Sequence, residues 1–134
     1  MIIGLAGGSA ADRRAFAKRL QSIERGPQLW EWSVTAPNET RAASLAAYLQ
    51  GQHRLRRQRG KVQGLLYTHV LLEEEAQALR SAGGVIWHVR GYPSQHVRNR
   101  HGDLQVTSAD DGDEYTLGPA EALSELLLQR RERA

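Results

Sequence analysis

Apolar runs of four to six residues alternate along the chain with longer stretches of helical spacing. Residues 2–6, Ile-Ile-Gly-Leu-Ala, read as a short buried strand that enters a Gly-Gly-Ser turn. A helix is predicted over about 10–25, with Phe16, Leu20 and Ile23 at i, i+4 and i+7, and with Arg13, Arg14, Lys18 and Arg19 facing elsewhere. Gly26-Pro27 stops it. Over 28–34 the period is two, which puts Leu29 and Glu31 on one face and Trp30, Trp32 and Val34 on the other.

Thr35-Ala-Pro-Asn-Glu begins a second helix, whose stripe is Leu45, Tyr48 and Leu49 and whose end is Gly51. Gly64-Leu-Leu-Tyr-Thr-His-Val70 reads as a central strand. Glu73, Glu74 and Glu75 open a third helix, where acid suits the positive end of the dipole, and Leu72, Ala76 and Leu79 face inward. After Gly83-Gly84, residues 85–89 form a strand, and 92–102 form a polar loop or irregular helix. Residues 104–108 and 114–117 flank Asp110-Asp-Gly-Asp113 as a hairpin. A last helix starts near Pro119, with Leu123, Leu126 and Leu127 inward. Strands alternating with helices predict an α/β fold, with a mostly parallel sheet covered on both faces.

The 134 residues fit a single domain, 1–134, and 40% apolar with 25% charged residues is ordinary globular composition. No cysteine is present, which excludes thiolate metal sites and fits a reducing cytoplasm. The opening residues predict no secretory leader, and no later run approaches the roughly 20 apolar residues of a membrane span. The expectation is a soluble protein. Net charge is only +3, and its cations are arginines apart from Lys18 and Lys61. Arginine presents a planar fork to phosphate or carboxylate, although GC-rich coding produces the same bias.

Three stretches together resemble the phage-type deoxynucleoside monophosphate kinases, within the P-loop nucleotide kinases. Residues 2–20 align without a gap on that family's strand, phosphate loop and first helix. Tyr67-Thr-His-Val-Leu-Leu-Glu-Glu-Glu-Ala-Gln-Ala-Leu follows a family segment that reads roughly D-V-R-F-x-N-E-A-x-A-L. Residues 85–90 and then His96-Val97 correspond to a strand and an H-x-S-E motif. The resemblance implies a three-layer P-loop-kinase-like sheet with helices on both faces, and a phage or prophage source. Family members are longer, mostly in the middle, where the acceptor nucleotide binds.

The chemistry of that family is what this sequence lacks. A working P-loop, G-x-x-x-x-G-K-[ST], wraps phosphate in backbone N–H groups, with lysine on the outer phosphates and a hydroxyl on Mg²⁺. Here Gly7 and Gly8 begin such a loop, but its final Gly-Lys-Ser/Thr is replaced by Asp12-Arg13-Arg14. Asp12 would repel the phosphate that a helix N-terminus attracts. Ser9 and Asp12 also have the spacing of a capping box, in which the helix start satisfies its own donors. In the alternative reading Arg13 substitutes for the lysine and Ser9 still touches a phosphate. By the resemblance, His69 replaces the D-V-R-F aspartate and Leu71 its arginine. Arg98 and Asn99 stand at the Ser and Glu positions after His96.

Several features bear on partners. The basic stretch 54–61, with Arg54, Arg56, Arg57 and Arg59, is a solvated helix end or a nucleic-acid patch, and it has no interleaved aromatic for base stacking. Arg90, Arg98 and Arg100 occupy lid positions of the family or make surface pairs. The five histidines share no metal-ligand spacing, although His69 and His88 could meet on neighbouring strands. Trp30 and Trp32 are an exposed binding pair on an edge strand or are packed under the second helix.

The expectation that follows is a non-catalytic kinase-fold protein without a cofactor. It would bind a protein partner, a virion component or a host protein, in the host cytoplasm or the virion. The alternatives are a residual nucleotide binder or nucleoside monophosphate kinase, and an arginine-mediated nucleic-acid binder.

Overall fold

All the strands of the sheet run in the same direction. The computed structural model describes residues 1–51 and 62–133. Its strands are β1 (Ile2–Ala6), β2 (Leu29–Trp32), β3 (Gly64–Tyr67), β4 (Val85–Val89) and β5 (Leu104–Val106), in the order β2-β3-β1-β4-β5. Every pairing is parallel. The helices are α1 (Ala10–Gln21), α2 (Asn38–Gln50), α3 (Glu73–Ser81) and α4 (Pro119–Arg133).

Strand alternation sends side chains to both faces, and each face has its own apolar layer. On one side Ile3, Leu5, Leu66, Trp87 and Val106 pack under Phe16 and Leu20 of α1 and Leu123 and Leu126 of α4. Phe16 meets Trp87 edge-on, with ring centroids 5.9 Å apart. On the other side Ala6, Leu65, Tyr67 and Ile86 pack under Leu45 and Tyr48 of α2 and Ala76 and Leu79 of α3. Gly4 lets that layer close on the central strand, because a Cβ there would lie 2.7 Å from Leu79 Cδ1. The result is a three-layer α/β fold of the P-loop-kinase-like kind. Among the described residues, no helix is long and apolar enough to cross a membrane.

Three expectations need correction. The hairpin around Asp110–Asp113 is absent: Leu117 bridges Val106 in parallel, its N–H donating to Gln105 O at 2.8 Å. Asp113 shapes the loop instead by accepting from the Tyr115 and Thr116 N–H groups, both at 2.9 Å. Residues 107–116 therefore loop back before Leu117 runs alongside the end of β5. Helix α1 ends at Gln21, not near 25, because Ser22 Oγ donates to Lys18 O and Arg25 takes a positive φ of 61°. Finally, the central strand expected over 64–70 ends at Tyr67; its interior place is as expected, beside the middle strand β1.

Candidate functional site

Strand β1 delivers the chain to Gly7 and Gly8, whose φ angles of 73° and 60° belong to the left-handed region that glycine enters without strain. Ser9 then caps α1. Its Oγ accepts from the Asp12 N–H at 3.0 Å, and the Asp12 carboxylate accepts from the Ser9 N–H at 2.9 Å. These bonds from Ser9 hold the Asp12 carboxyl below its ordinary pKa. The Gly8 N–H donates to Tyr92 O at 2.8 Å, and the Arg13 N–H to Ser9 O at 3.0 Å. A phosphate at this turn would have to win those donors back. The loop after β4 closes on it: a Cβ on Gly91 would sit 2.8 Å from Gly8 Cα.

Contrary to expectation, Arg13 does not face away from the apolar stripe of α1 with Arg14, Lys18 and Arg19. It is 8% exposed and lies on the same side as Phe16, Ala17 and Leu20. Its Nη1 donates to the carbonyls of Gly7 at 2.8 Å and Gly8 at 3.0 Å, so the guanidinium folds back under the turn. Its Nε donates to His69 Nδ1 at 3.0 Å. His69 can accept there only as the neutral ring. Burial, then the charge of Arg13, pushes its pKa down to about 4. Burial also lowers the pKa of Arg13 itself.

A second buried arginine stands on the other side of His69. Arg41 of α2 grips Glu75 of α3 with both edges of its fork, Nε to Oε1 at 2.9 Å and Nη2 to Oε2 at 3.1 Å. It also donates to Val34 O at 2.8 Å and to His69 O at 3.0 Å. Tyr67 donates its hydroxyl to Glu75, and burial followed by that bond pushes the Tyr67 pKa up. Glu75 Oε1 accepts from the N–H groups of Leu71 and Leu72, both at 3.2 Å, which caps α3. Burial works to lower the pKa of Arg41, but the bonds and charge of Glu75 outweigh it and raise it. Arg41 did not stand out in the sequence, and Glu75 did so only as one of three acids that open a helix. The signal was there, since Arg41 precedes Leu45 by four residues and Glu75 precedes Leu79 by four.

A cleft of about 460 Å³ opens over this turn at the C-terminal ends of the strands. Gly7, Gly8 and Arg13 line it, with Leu71 and Leu72 on one wall and Tyr92 to His96 on the other. In open parallel sheets this end is where ligands bind. Comparisons with family models, curated proteins and solved structures found no match to the chain.

The other candidate residues lie apart from the cleft or at its rim. Trp30 and Trp32 are half-buried and pack inward with the α2 layer, where Trp32 stacks on Tyr48 at 4.0 Å between ring centroids. The exposed indole pair is therefore absent. Arg54, Arg56, Arg57 and Arg59 lie outside the described residues. His69 and His88 are not on adjacent strands, because β1 separates β3 from β4. His88 Nε2 instead meets Asp103 Oδ2 at 2.8 Å, which Arg80 also contacts at 2.7 Å. Arg90 pairs with Asp113 at 3.0 Å and Arg100 with Glu73 at 3.8 Å. His96 lines the cleft.

Proposed function

We propose that this chain is a kinase-fold protein without phosphoryl-transfer activity, of phage or prophage origin, that acts by binding a protein of the virion or of the host. One observation carries the non-catalytic part. Three of the donors that a phosphate loop offers to its ligand are spent inside the chain: Gly8 on Tyr92, Ser9 on Asp12, and Asp12 on Ser9. Arg13, at the position of the family's lysine, turns back to the carbonyls of Gly7 and Gly8. No hydroxyl follows it, since Arg14 and Ala15 come next. The phage source is supported by the sequence resemblance alone.

The test is a thermal melt with ATP–Mg²⁺ at millimolar concentration, and the expected result is no rise. A ligand at about 100 times its dissociation constant adds roughly 2.7 kcal/mol, which a melt resolves easily. A clear rise that disappears in Arg13→Ala would overturn the reading. Affinity capture from host and phage lysates, with and without nuclease, then tests the partner. Capture lost on nuclease treatment would favour the nucleic-acid alternative.

A further inference from the structure

We infer that the cleft over Arg13 is a binding site for a single carboxylate. Arginine keeps its charge at any physiological pH, and a charge taken out of water needs a counter-charge. Arg13 is more than nine-tenths buried. Its partners are two carbonyl oxygens and one neutral imidazole nitrogen. Among the described residues, no carboxylate lies within ion-pair distance of it. Asp12, its neighbour in the chain, is turned to the Ser9 N–H.

The guanidinium has five N–H donors. Nε spends its one and Nη1 both of its two, so Nη2 is left with no hydrogen bond to any described residue. Arg13 lines the cleft, and none of the residues that line it is acidic. The site therefore combines a buried cation that makes no ion pair among the described residues, a donor without a hydrogen bond to any of them, and a cleft whose lining holds no acid.

The same geometry selects carboxylate over phosphate. A phosphoryl group is held by a nest of amides, and the amides of Gly8, Ser9 and Asp12 are occupied. The Asp12 carboxylate beside the turn repels a dianion more strongly than a monoanion. A carboxylate needs only the free Nη2 edge, and charge-assisted bonds of that kind are among the stronger ones. Around it, Leu71 is 36% exposed and Tyr92 91% exposed, so the rim offers apolar and aromatic contact. The carboxylate can come from an acidic side chain of a protein partner or from a free organic acid. The inference rests on the proposed function only in taking the turn not to hold phosphate.

The experiment compares sodium acetate, succinate, inorganic phosphate, ATP–Mg²⁺ and a short acetylated peptide with one glutamate between leucines, all against NaCl at equal ionic strength. Melting temperature and the side-chain ¹⁵N signals of Arg13 in the wild-type chain are followed together. Expected are a rise with the carboxylates, a shift of the Arg13 guanidinium signals, and little effect of phosphate. In Arg13→Gln the carboxylate affinity should fall by at least about tenfold. A peptide that binds more tightly than succinate identifies a protein source, and equal binding identifies a small acid. If no carboxylate moves the Arg13 signals, the inference is overturned and the non-catalytic reading stands. If phosphate or ATP–Mg²⁺ moves them more than succinate does, both are overturned. The wild-type signals decide the matter even if Arg13→Gln does not fold.

Discussion

Arg13 and Arg41 are buried almost equally, at 8% and 5% exposed, and both touch His69, one through its ring and the other through its carbonyl. They are solvated in opposite ways. Arg41 meets a carboxylate edge to edge, and Glu75 is in turn held by Tyr67 and by two backbone N–H groups. Every charge in that cluster has an answer within the fold, so it ties α2, α3 and the end of β3 together. Arg13 hydrogen-bonds only to dipoles, makes no ion pair among the described residues, and faces the cleft. The difference teaches that burial of a charge does not by itself define its role. A buried cation with its own anion is a structural clamp, whereas one without remains available to a ligand.

The largest expected effect breaks the clamp. Glu75→Gln should destabilise the protein by about 3–5 kcal/mol, because it leaves Arg41 buried without its anion. Replacing both partners, with Arg41→Met and Glu75→Leu, should cost less than Glu75→Gln alone. By contrast, Arg13→Met should cost no more than about 1–3 kcal/mol, the range for hydrogen bonds lost at a site with no ion pair. Urea denaturation of the four proteins checks this ordering. If Glu75→Gln cost less than Arg13→Met, the contrast between the two arginines would be gone.

The next effect is set by His69, which links them. Its folded pKa of about 4 lies below the ordinary 6.5, so the unfolded chain binds a proton that the folded chain refuses. Its contribution is therefore fully present above about pH 6.5 and is lost as pH falls toward 4. Allowing for its partial exposure, the loss should be roughly 1–2 kcal/mol. His69→Asn keeps an acceptor for Arg13 but does not titrate. Its stability profile between pH 7 and pH 4 should be flatter than that of the wild type. Parallel profiles would mean that His69 is not what the acid limb reports.

The smallest effect concerns the cap above Arg13. Ser9→Ala should cost about 0.5–2 kcal/mol, as the loss of an N-cap side chain usually does. Asp12→Ala should move stability in the same direction. If either change left the melt untouched, the turn would not be holding itself closed, and its amides would be open to an anion.

The alternation of strands and helices, the parallel sheet and its two covered faces were legible in the sequence, because the periods of apolar residues carry them directly. So was the self-capping of α1, since Ser9 and Asp12 are close in the chain and their geometry is local. The direction of the last pairing was not. Whether Leu117 meets Val106 in parallel or as a hairpin depends on how ten intervening residues loop, and turn composition does not fix that.

The candidate site divides along the same line. Missing lysine and hydroxyl groups can be read from the chain, but what Arg13 meets cannot. Its spacing from Phe16, Ala17 and Leu20 puts it on the buried stripe of α1, yet only strand order brings His69 of the β3 end to its Nε. Likewise Glu75 lies 34 residues from Arg41 in the chain, and their bond forms because α2 and α3 share one face of the sheet. A periodic pattern states which face of an element is buried, since that follows from local geometry. What a buried charge meets there is decided by long-range packing, and that is why the clamp and the open cation look alike in sequence and differ in the fold.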